Sequence, residues 1–214
     1  MRSAATAGET ITFAYDGDGR RVLRDTITGT IAYVGPHYEL HFNKANKPED
    51  LDGDCRVTVI DIMQVAARWG LTDQDAGWDA RYDLVGNGVI DIYDVQQVAG
   101  QWRETCHVLA ETVKYYTLGG RRVAMRKAGT LYYLFADHLG STSVSYRSDG
   151  GDTRTQRYYP WGTIRPGGTN TLPTDYTFTG QKLDESTGLV YYGYLVLRAG
   201  AGTVHPAGYD CARA

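Results

Sequence analysis

Residues 15–22 of this 214-residue chain read YDGDGRRV, and this stretch decides the fold of the larger part of the molecule. Gly adopts positive φ without steric cost and Asp hydrogen-bonds to nearby backbone, so Asp-Gly-Asp-Gly is typical of a tight turn. The flanking residues, ITFA before it and LRD after it, extend it into the composition of short strands. The stretch therefore predicts a β-hairpin.

The same strand–turn unit recurs along the chain. GRRV is found at 19–22 and again at 120–123, and segments 30–40, 113–127 and 130–151 also combine Tyr-rich runs with Gly-containing turns. The composition of 26 Gly and 17 Tyr, against only 4 Phe and 3 Met, favours turns and aromatic strands over a helical bundle. We expect antiparallel hairpins with one buried face on both sides of residues 48–106.

Residues 48–106 differ from the rest of the chain in charge. They hold twelve acidic and four basic residues, a net charge of −8, whereas the remainder holds thirteen and eighteen, a net of +5; together these give the −3 of the whole chain. Three of the four Trp lie in this segment and fifteen of the seventeen Tyr lie outside it. Such a change of composition predicts a separate inserted domain.

The inserted segment contains an internal repeat. With an offset of 33 residues, 50–69 aligns with 83–102 and eight of twenty positions are identical. Each copy is a polar loop followed by a helical pattern. One apolar face is predicted for each helix: Ile62, Val65, Ala66 and Trp69 in the first, and Val95, Val98, Ala99 and Trp102 in the second. Thr58 and Asp61 predict a capping box at the start of the first helix, and the two short helices should pack on each other.

The first loop, DLDGDCRVTVID at 50–61, has oxygen-bearing residues at the spacing that calcium requires. The predicted ligands are the side chains of Asp50, Asp52, Asp54, Thr58 and Asp61 and the backbone carbonyl of Arg56. A solvated acidic turn, or a cluster of carboxylates that caps a helix, is the alternative interpretation. Place 6 of such loops normally holds Gly at positive φ, and Cys55 there should cost about 1 kcal/mol.

The second loop, 83–94, has Gly88 at place 6 but Val85 at place 3, which offers no side-chain oxygen. Its candidate ligands are Asp83, Asn87, the Val89 carbonyl, Asp91 and Asp94. We expect the second loop to bind calcium more weakly than the first, because affinity in such loops follows the number of charged ligands.

Three cysteines are too few for a disulfide framework and match no zinc spacing. Cys55 and Cys106 lie at the two ends of the inserted segment, so a disulfide between them would close a loop of about 50 residues and contribute about 3–4 kcal/mol. The alternative is two unpaired, small apolar residues.

The paired loop–helix units, with Asp at place 12, resemble a type I dockerin over residues 48–106. This resemblance implies two calcium loops with antiparallel helices and docking onto a cohesin-like or other protein partner. The Ser/Thr pair typical of the recognition helix is absent; Ile62 and Met63, and Val95 and Gln96, stand at those places.

The flanking residues resemble the Rhs family of YD-repeat proteins. YDGDGRRV matches its repeat unit, and DHLGSTSVSYRSDGG (137–151), QRYYPWGTIRPGG (156–168) and YTFTGQKLDESTGLVYYGY (176–194) match its repeat-associated core region in order. The family implies a β-shell of spiralling hairpins on a secreted or cell-surface protein, with the insert placed in one hairpin.

The resemblance stops after Tyr194, and reading the tail one nucleotide on, with third codon bases left free, permits the family's usual ending. We therefore interpret 195–214 as a frameshifted tail without a hairpin partner, in which His205 and Cys211 have no role.

Several function classes are disfavoured. The sequence has no basic run typical of nucleic-acid binding, no apolar stretch that would span a membrane and no apolar core of a signal peptide, and its start is typical of the inside of a longer protein. Asp137, His138 and Ser141 lack a third orienting group for nucleophilic catalysis. Tyr158, Tyr159 and Trp161 are either a carbohydrate platform or the packed face of a hairpin.

The predicted fold class is α+β, with β-hairpin YD-repeat segments interrupted by a small all-α, dockerin-like module of two calcium loop–helix units. The domains are a YD-repeat segment (1–47), the calcium module (48–106), the repeat-associated core segment (107–194) and the tail. The predicted function is that of a non-enzymatic fragment of a secreted or cell-surface protein that carries a calcium-binding docking module. The alternative is a purely structural shell fragment from a decayed gene.

Overall fold

The computed structural model of the chain describes residues 2–6, 9–167, 171–184, 187–193, 195–198 and 202–206. The chain divides into two units, of which the first comprises residues 1–42 and 109–214 and the second residues 43–108.

The first unit is built on a sheet whose ten strands follow one another in sequence order. Strands β1 to β4 and β6 to β10 pair antiparallel with their neighbours. The inserted segment connects β5 to β6, which are neighbours in this sheet. The strands are β1 (Arg2–Thr6), β2 (Glu9–Tyr15), β3 (Arg21–Asp25), β4 (Gly29–Tyr33), β5 (Tyr38–Lys44), β6 (His107–Leu118), β7 (Arg121–Lys127), β8 (Thr130–Ala136), β9 (Thr142–Arg147) and β10 (Thr153–Thr155).

The opening motif forms the turn between β2 and β3. Asp16 Oδ1 accepts hydrogen bonds from the backbone N–H groups of Asp18 (3.0 Å) and Arg20 (2.8 Å), and Gly19 has φ 71°. These are the roles predicted for Asp and Gly in a tight turn. Ile11 and Phe13, two residues apart on β2, are buried, which is the alternation expected of a strand with one buried face.

A second, four-stranded antiparallel sheet contains β11 (Lys182–Asp184), β12 (Leu189–Tyr192), β13 (Leu195–Arg198) and β14 (Thr203–Pro206). The prediction that residues 195–214 lack a hairpin partner is wrong for the described residues of the tail, because β13 pairs with both β12 and β14. Val196 and Leu197 are buried in this sheet, so apolar side chains stabilise it. Residues 207–214, with Cys211, lie outside the described residues.

The second unit contains two short helices, α1 (Val59–Ala66) and α2 (Ile92–Gly100). The predicted fold class is therefore wrong: the chain is mostly antiparallel β-sheet, and no all-α, dockerin-like module is present in its described part. Between β5 and β6, the residues outside the two helices form loops, turns and isolated bridges, of which two join Arg56 to Thr105 and Thr72 to Val89. The physical reason is that most residues of each repeat form the polar loop and the connection after the helix, so few of them are helical.

The core of the second unit explains where the helical patterns end. Val65 of α1 and Val98 of α2 are fully buried in one cluster with Val57, Tyr82 and Ile90. Trp69 and Trp102, which were predicted to extend the apolar faces, are 55% and 46% exposed because they lie beyond the ends of the helices. Ala66 and Ala99 are exposed as well.

Candidate metal loops of the inserted segment

The carboxylates at places 1 and 12 organise the first loop. Asp50 accepts hydrogen bonds from the backbone N–H groups of Gly53 (3.0 Å) and Cys55 (2.8 Å). Asp61, which is fully buried, accepts from the N–H groups of Leu51 (2.7 Å) and Thr58 (2.7 Å), with a further bond at 3.2 Å from Asp52. The two acids thus hold the loop closed from both ends.

Three acidic side chains converge inside this loop. Carboxylate oxygens of Asp50, Asp52 and Asp54 lie within 4.8 Å of one another. The pKa of Asp50 is raised, first by burial and then by repulsion from Asp61 and Asp54, although hydrogen bonds from Cys55 and Gly53 oppose the rise. A cation among these oxygens would relieve this repulsion.

The remaining candidate ligands of the first loop have structural partners too. The Thr58 hydroxyl accepts a hydrogen bond from Ile60 N–H and, with Asp61, completes a capping box at the start of α1, as predicted. The N–H of Arg56 donates to Asp54 Oδ1 at 2.8 Å. The alternative interpretation of a solvated acidic turn or a capping cluster therefore accounts for these hydrogen bonds without an ion.

Place 6 shows the backbone conformation that the spacing requires. Cys55 has φ 70°, and Gly88 at the equivalent place of the second loop has φ 83°. Cys55 thus lies in the left-handed region, where a side chain is strained.

The second loop repeats the hydrogen-bond pattern with fewer charges. Asp83 accepts from the N–H groups of Gly86 (2.8 Å) and Gly88 (2.8 Å), and the buried Asp94 accepts from those of Val85 (3.0 Å) and Asp91 (2.8 Å). Asn87 Oδ1 accepts from Val89 N–H, and the Asn87 amide lies 3.4 Å from Asp91 Oδ2. Among the described residues, no three acids of the second loop converge as Asp50, Asp52 and Asp54 do in the first.

Each loop is braced by the segment that follows the helix of the other copy. Val57 at place 8 exchanges backbone hydrogen bonds with Arg103 and Glu104, and Ile90 does so with Gly70 and Leu71. The side chains of Val57 and Ile90, the two residues at place 8, lie in one apolar cluster.

Cys55 and Cys106 are joined by a disulfide, with their Cα atoms 5.1 Å apart. The N–H of Cys106 donates to the carbonyl of Cys55 at 3.3 Å. The bond therefore ties place 6 of the first loop to the end of the inserted segment.

The residues of the first loop fit a calcium ion. Hard cations prefer carboxylate and carbonyl oxygens, and Asp50, Asp52 and Asp54 bring such oxygens together while Asp61 fixes the loop end. Bound calcium would supply positive charge that holds these acids together. The second loop fits less well, because Val85 at place 3 is apolar and 51% exposed.

The structure also places the candidate catalytic and carbohydrate-binding residues that the sequence suggested. Asp137 Oδ1 accepts from the N–H groups of Leu139 and Ser141, and Ser141, which is fully buried, accepts a hydrogen bond from Thr179 N–H through its hydroxyl. The Tyr158 hydroxyl donates to the Thr142 carbonyl, while Tyr159 and Trp161 are 47% and 59% exposed. The Tyr158 hydroxyl is therefore hydrogen-bonded within the protein, whereas Tyr159 and Trp161, the other two residues of the suggested platform, are exposed.

Sequence reasoning missed a buried group of charges in the first unit. Lys182 Nζ lies 2.5 Å from Glu39 Oε1 and 3.9 Å from Asp175 Oδ2, and it is 143 residues away from Glu39 in the sequence. Burial opposes the charge of Glu39, but the hydrogen bond from His41 and the positive charge of Lys182 lower its pKa below the ordinary value. For Lys182, burial lowers the pKa, and the negative charges of Glu39 and Asp175 oppose this change. No local pattern marks such a long-range pair.

Comparison with known proteins bears on the fold. A structure of the Photorhabdus luminescens Tc holotoxin pore is 18% identical with a TM-score of 0.51, and the match covers 95% of this chain and 8% of that one. A crystal structure of TcdB2-TccC3-Cdc42 is 17% identical with a TM-score of 0.52, covering 94% of this chain and 8% of that one. The chain thus spans about 8% of the length of these toxin chains. No family model and no curated protein matches it.

These likenesses identify the class of fold, a hairpin-rich antiparallel β-sheet that is also found within chains of Tc toxin structures. They lend no support to the dockerin-like resemblance of the inserted segment. Within the described part of the chain, neither helix has the length and apolar character needed to cross a bilayer.

Proposed function

We propose that the chain is a non-enzymatic segment of the β-shell of an Rhs-type YD-repeat protein, secreted or at the cell surface, whose inserted unit binds calcium through its first loop. Two independent observations support the shell assignment. The motifs of residues 15–22, 137–151, 156–168 and 176–194 resemble that family, and the sheet shares its fold with Tc toxin chains.

One observation carries the calcium assignment, the convergence of the Asp50, Asp52 and Asp54 carboxylates within 4.8 Å. The loop is already shaped by hydrogen bonds to Asp50 and Asp61, so little backbone order remains to be gained when the ion binds. Asp52 and Asp54 then add charge to a preformed loop.

A calcium titration of the full chain by isothermal calorimetry tests this assignment, with Asp52→Asn as the decisive variant. Asp52 has one modest structural role, accepting the N–H of Asp54 at 3.1 Å, so the variant should fold. We expect its calcium affinity to fall about tenfold. Asp79→Asn is the matched control: Asp79 lies in the same unit but outside both loops, and the change in charge is the same. Equal affinities for the two variants would reject the first loop as the site.

The inserted unit also exposes apolar side chains that suit a protein partner. Ile60 and Met63 of α1 are 52% and 62% exposed, and Tyr93 of α2 is 58% exposed. We propose that this surface docks a protein once calcium has bound, and a purified cohesin domain is the first partner to test. Calcium-dependent binding that Met63→Glu abolishes would support docking, whereas no binding with calcium present would exclude a cohesin-like partner.

The alternative function, a purely structural segment, has an observation in its favour. The carboxylates at places 1 and 12 of both loops already have backbone N–H partners. In this alternative the acids stabilise turns and bind no ion. Titration of the wild-type chain with calcium would then give no heat of binding.

A further inference from the structure

The first unit contains a cavity of about 460 Å³ that neither the calcium loops nor the proposed shell role explains. Its walls include Arg20, Arg21, Tyr33, Arg122, Tyr176 and Lys182, together with one acidic residue, Asp16. Arg21 pairs with Asp184, and Lys182 pairs with Glu39 and Asp175, so Arg20 and Arg122 are the basic side chains of the cavity whose charges are not paired. The volume of the cavity is in the range of small-molecule sites.

Arg122, like Arg20, has no carboxylate partner among the described residues. Its guanidinium lies 3.3 Å from the centre of the Tyr176 ring, and Nη1 donates to the Gly180 carbonyl at 2.9 Å. Stacking and this hydrogen bond fix the plane of the group. Its Nε is buried and has no hydrogen-bond partner in the described part of the chain.

Arg21 is held in a similar way on another wall. Its side chain is only 7% exposed, and its guanidinium lies 4.0 Å from the centre of the Phe13 ring and 4.6 Å from that of Tyr191. Nη1 lies 3.3 Å from Asp184 Oδ2. The Nε of Arg21 is also buried without a hydrogen-bond partner within the described ranges.

Tyr33 supplies a third donor. Its hydroxyl is buried and finds no hydrogen-bond partner in the residues that the structure describes, while Lys182 Nζ lies 4.2 Å from the centre of its ring. Burial raises the pKa of Tyr33, so the phenol keeps its proton at ordinary pH. Lys182 lines the cavity, but its charge is already paired with Glu39 and Asp175, so it is not the group that would bind an anion.

Buried donors without partners are costly and rare in folded proteins, and several around one basic cavity indicate that something absent from the protein accepts their hydrogen bonds. From Arg122, Arg21 and Tyr33 we infer that the cavity binds an oxyanion, a carboxylate or phosphate group of a small molecule. Planar guanidinium groups that are fixed by aromatic rings suit the oxygens of such a group. Tyr176 and Tyr191, the rings on which Arg122 and Arg21 stack, also line the cavity.

The test uses the full chain with inorganic phosphate and with benzoate as separate probes, followed by calorimetry and by ligand-observed NMR. We expect millimolar or tighter binding of at least one probe. Preference for benzoate would assign a carboxylate on a flat group, and preference for phosphate a phosphate ligand. Failure of both probes to bind at millimolar concentration would overturn the inference.

Two variants and one control connect binding to the cavity. Arg122→Gln should weaken the binding of the preferred probe at least about tenfold, the usual loss for one charge-assisted hydrogen bond. Arg165→Gln removes the same charge from an exposed residue outside the cavity and should leave affinity unchanged. Equal losses in the two would show non-specific attraction and reject the site.

Tyr33→Phe decides the matter if Arg122→Gln fails to fold. Since the Tyr33 hydroxyl has no partner in the described protein, its removal should leave the melting temperature unchanged or raise it. The same change should weaken the binding of the preferred probe several-fold. Unchanged affinity in Tyr33→Phe would contradict the role of this hydroxyl and the placement of the anion in the cavity.

Discussion

The two loops of the inserted unit have the same backbone pattern and different chemistry. Asp50 and Asp83 at place 1 each accept backbone N–H groups from places 4 and 6, and Asp61 and Asp94 at place 12 each accept from the start of the loop and from the helix cap. The loops differ in charge at places 3 and 5, where Asp52 and Asp54 correspond to Val85 and Asn87, and in backbone strain at place 6, where Cys55 corresponds to Gly88.

This comparison separates the shape of a loop from its capacity for metal. The acids at places 1 and 12 are present in both loops and account for the shared hydrogen bonds. The acids at places 3 and 5, Asp52 and Asp54, are present in the first loop alone; each accepts one backbone N–H group, and both add charge. A loop can therefore keep its conformation after it loses ligands, so the conformation alone is no measure of calcium affinity.

The largest expected difference between the loops comes from the disulfide, which holds only the first. Cys55 and Cys106 are 51 residues apart, and in the chain-entropy model a bond that closes such a loop contributes about 4 kcal/mol. We expect reductant to raise amide hydrogen exchange strongly in residues 50–61 and much less in residues 83–94, as measured by mass spectrometry.

Cys106→Ser is the control for this experiment, since it should show the same exchange without reductant and no further change when reductant is added. Equal protection of both loops after reduction would show that the bond is not what distinguishes them.

The next largest effect is expected at place 12. Asp61 accepts three backbone N–H groups and Asp94 accepts two, so removal of either carboxylate leaves buried donors unsatisfied. We predict that Asp61→Ala lowers the free energy of unfolding of the second unit by about 3 kcal/mol and Asp94→Ala by about 2 kcal/mol.

Denaturant unfolding in the presence of EDTA measures these losses without a contribution from metal. If either loss disappears in EDTA but is large in calcium, the carboxylate acts through the ion and the hydrogen bonds contribute little.

The sequence predicted several local features of the chain because each depends on residues that are close together in it. The hairpin turn at Asp16, the capping box of Thr58 and Asp61 and the positive φ at Cys55 were all predictable in this way. Turn and cap chemistry operates over three to five residues, which is the distance over which a single sequence is informative.

The all-α prediction failed because periodicity does not show where a helix ends. Trp69 and Trp102 continue the apolar spacing, but α1 ends at Ala66 and α2 at Gly100, and Gly70 and Arg103 then adopt positive φ. The Glu39–Lys182 pair and the stacking of Arg122 on Tyr176 join residues far apart in sequence, so they become visible only in the folded chain.

A third prediction concerns place 3. Val85→Asp should give the second loop the carboxylate that the first loop has in Asp52, and because affinity follows the number of charged ligands we expect about a tenfold gain in calcium affinity. The amide signals of Gly86 and Gly88 would report on this loop separately from the first. Val85→Asn is the control, with an oxygen but no charge, and it should give a smaller gain. No gain from Val85→Asp would mean that something other than place 3 limits the second loop.

The smallest predicted effect tests place 6, where the first loop has Cys55 at φ 70° and the second has Gly88 at φ 83°. A Cβ added at Gly88 would meet Asp73 Oδ2 at 3.7 Å, which is ordinary contact, so the cost of Gly88→Ala should come from the backbone alone. We expect a loss of about 1 kcal/mol in the free energy of unfolding, measured in EDTA.

Gly77→Ala is the matched control: an added Cβ there would also make ordinary contact, with Leu71 Cδ1 at 3.5 Å, and Gly77 is not at positive φ. This control should be neutral or slightly stabilising, because Ala lowers the entropy of the unfolded chain. If Gly88→Ala and Gly77→Ala change the free energy of unfolding equally, a side chain at place 6 causes no backbone strain in this unit, and Cys55 does not destabilise the first loop.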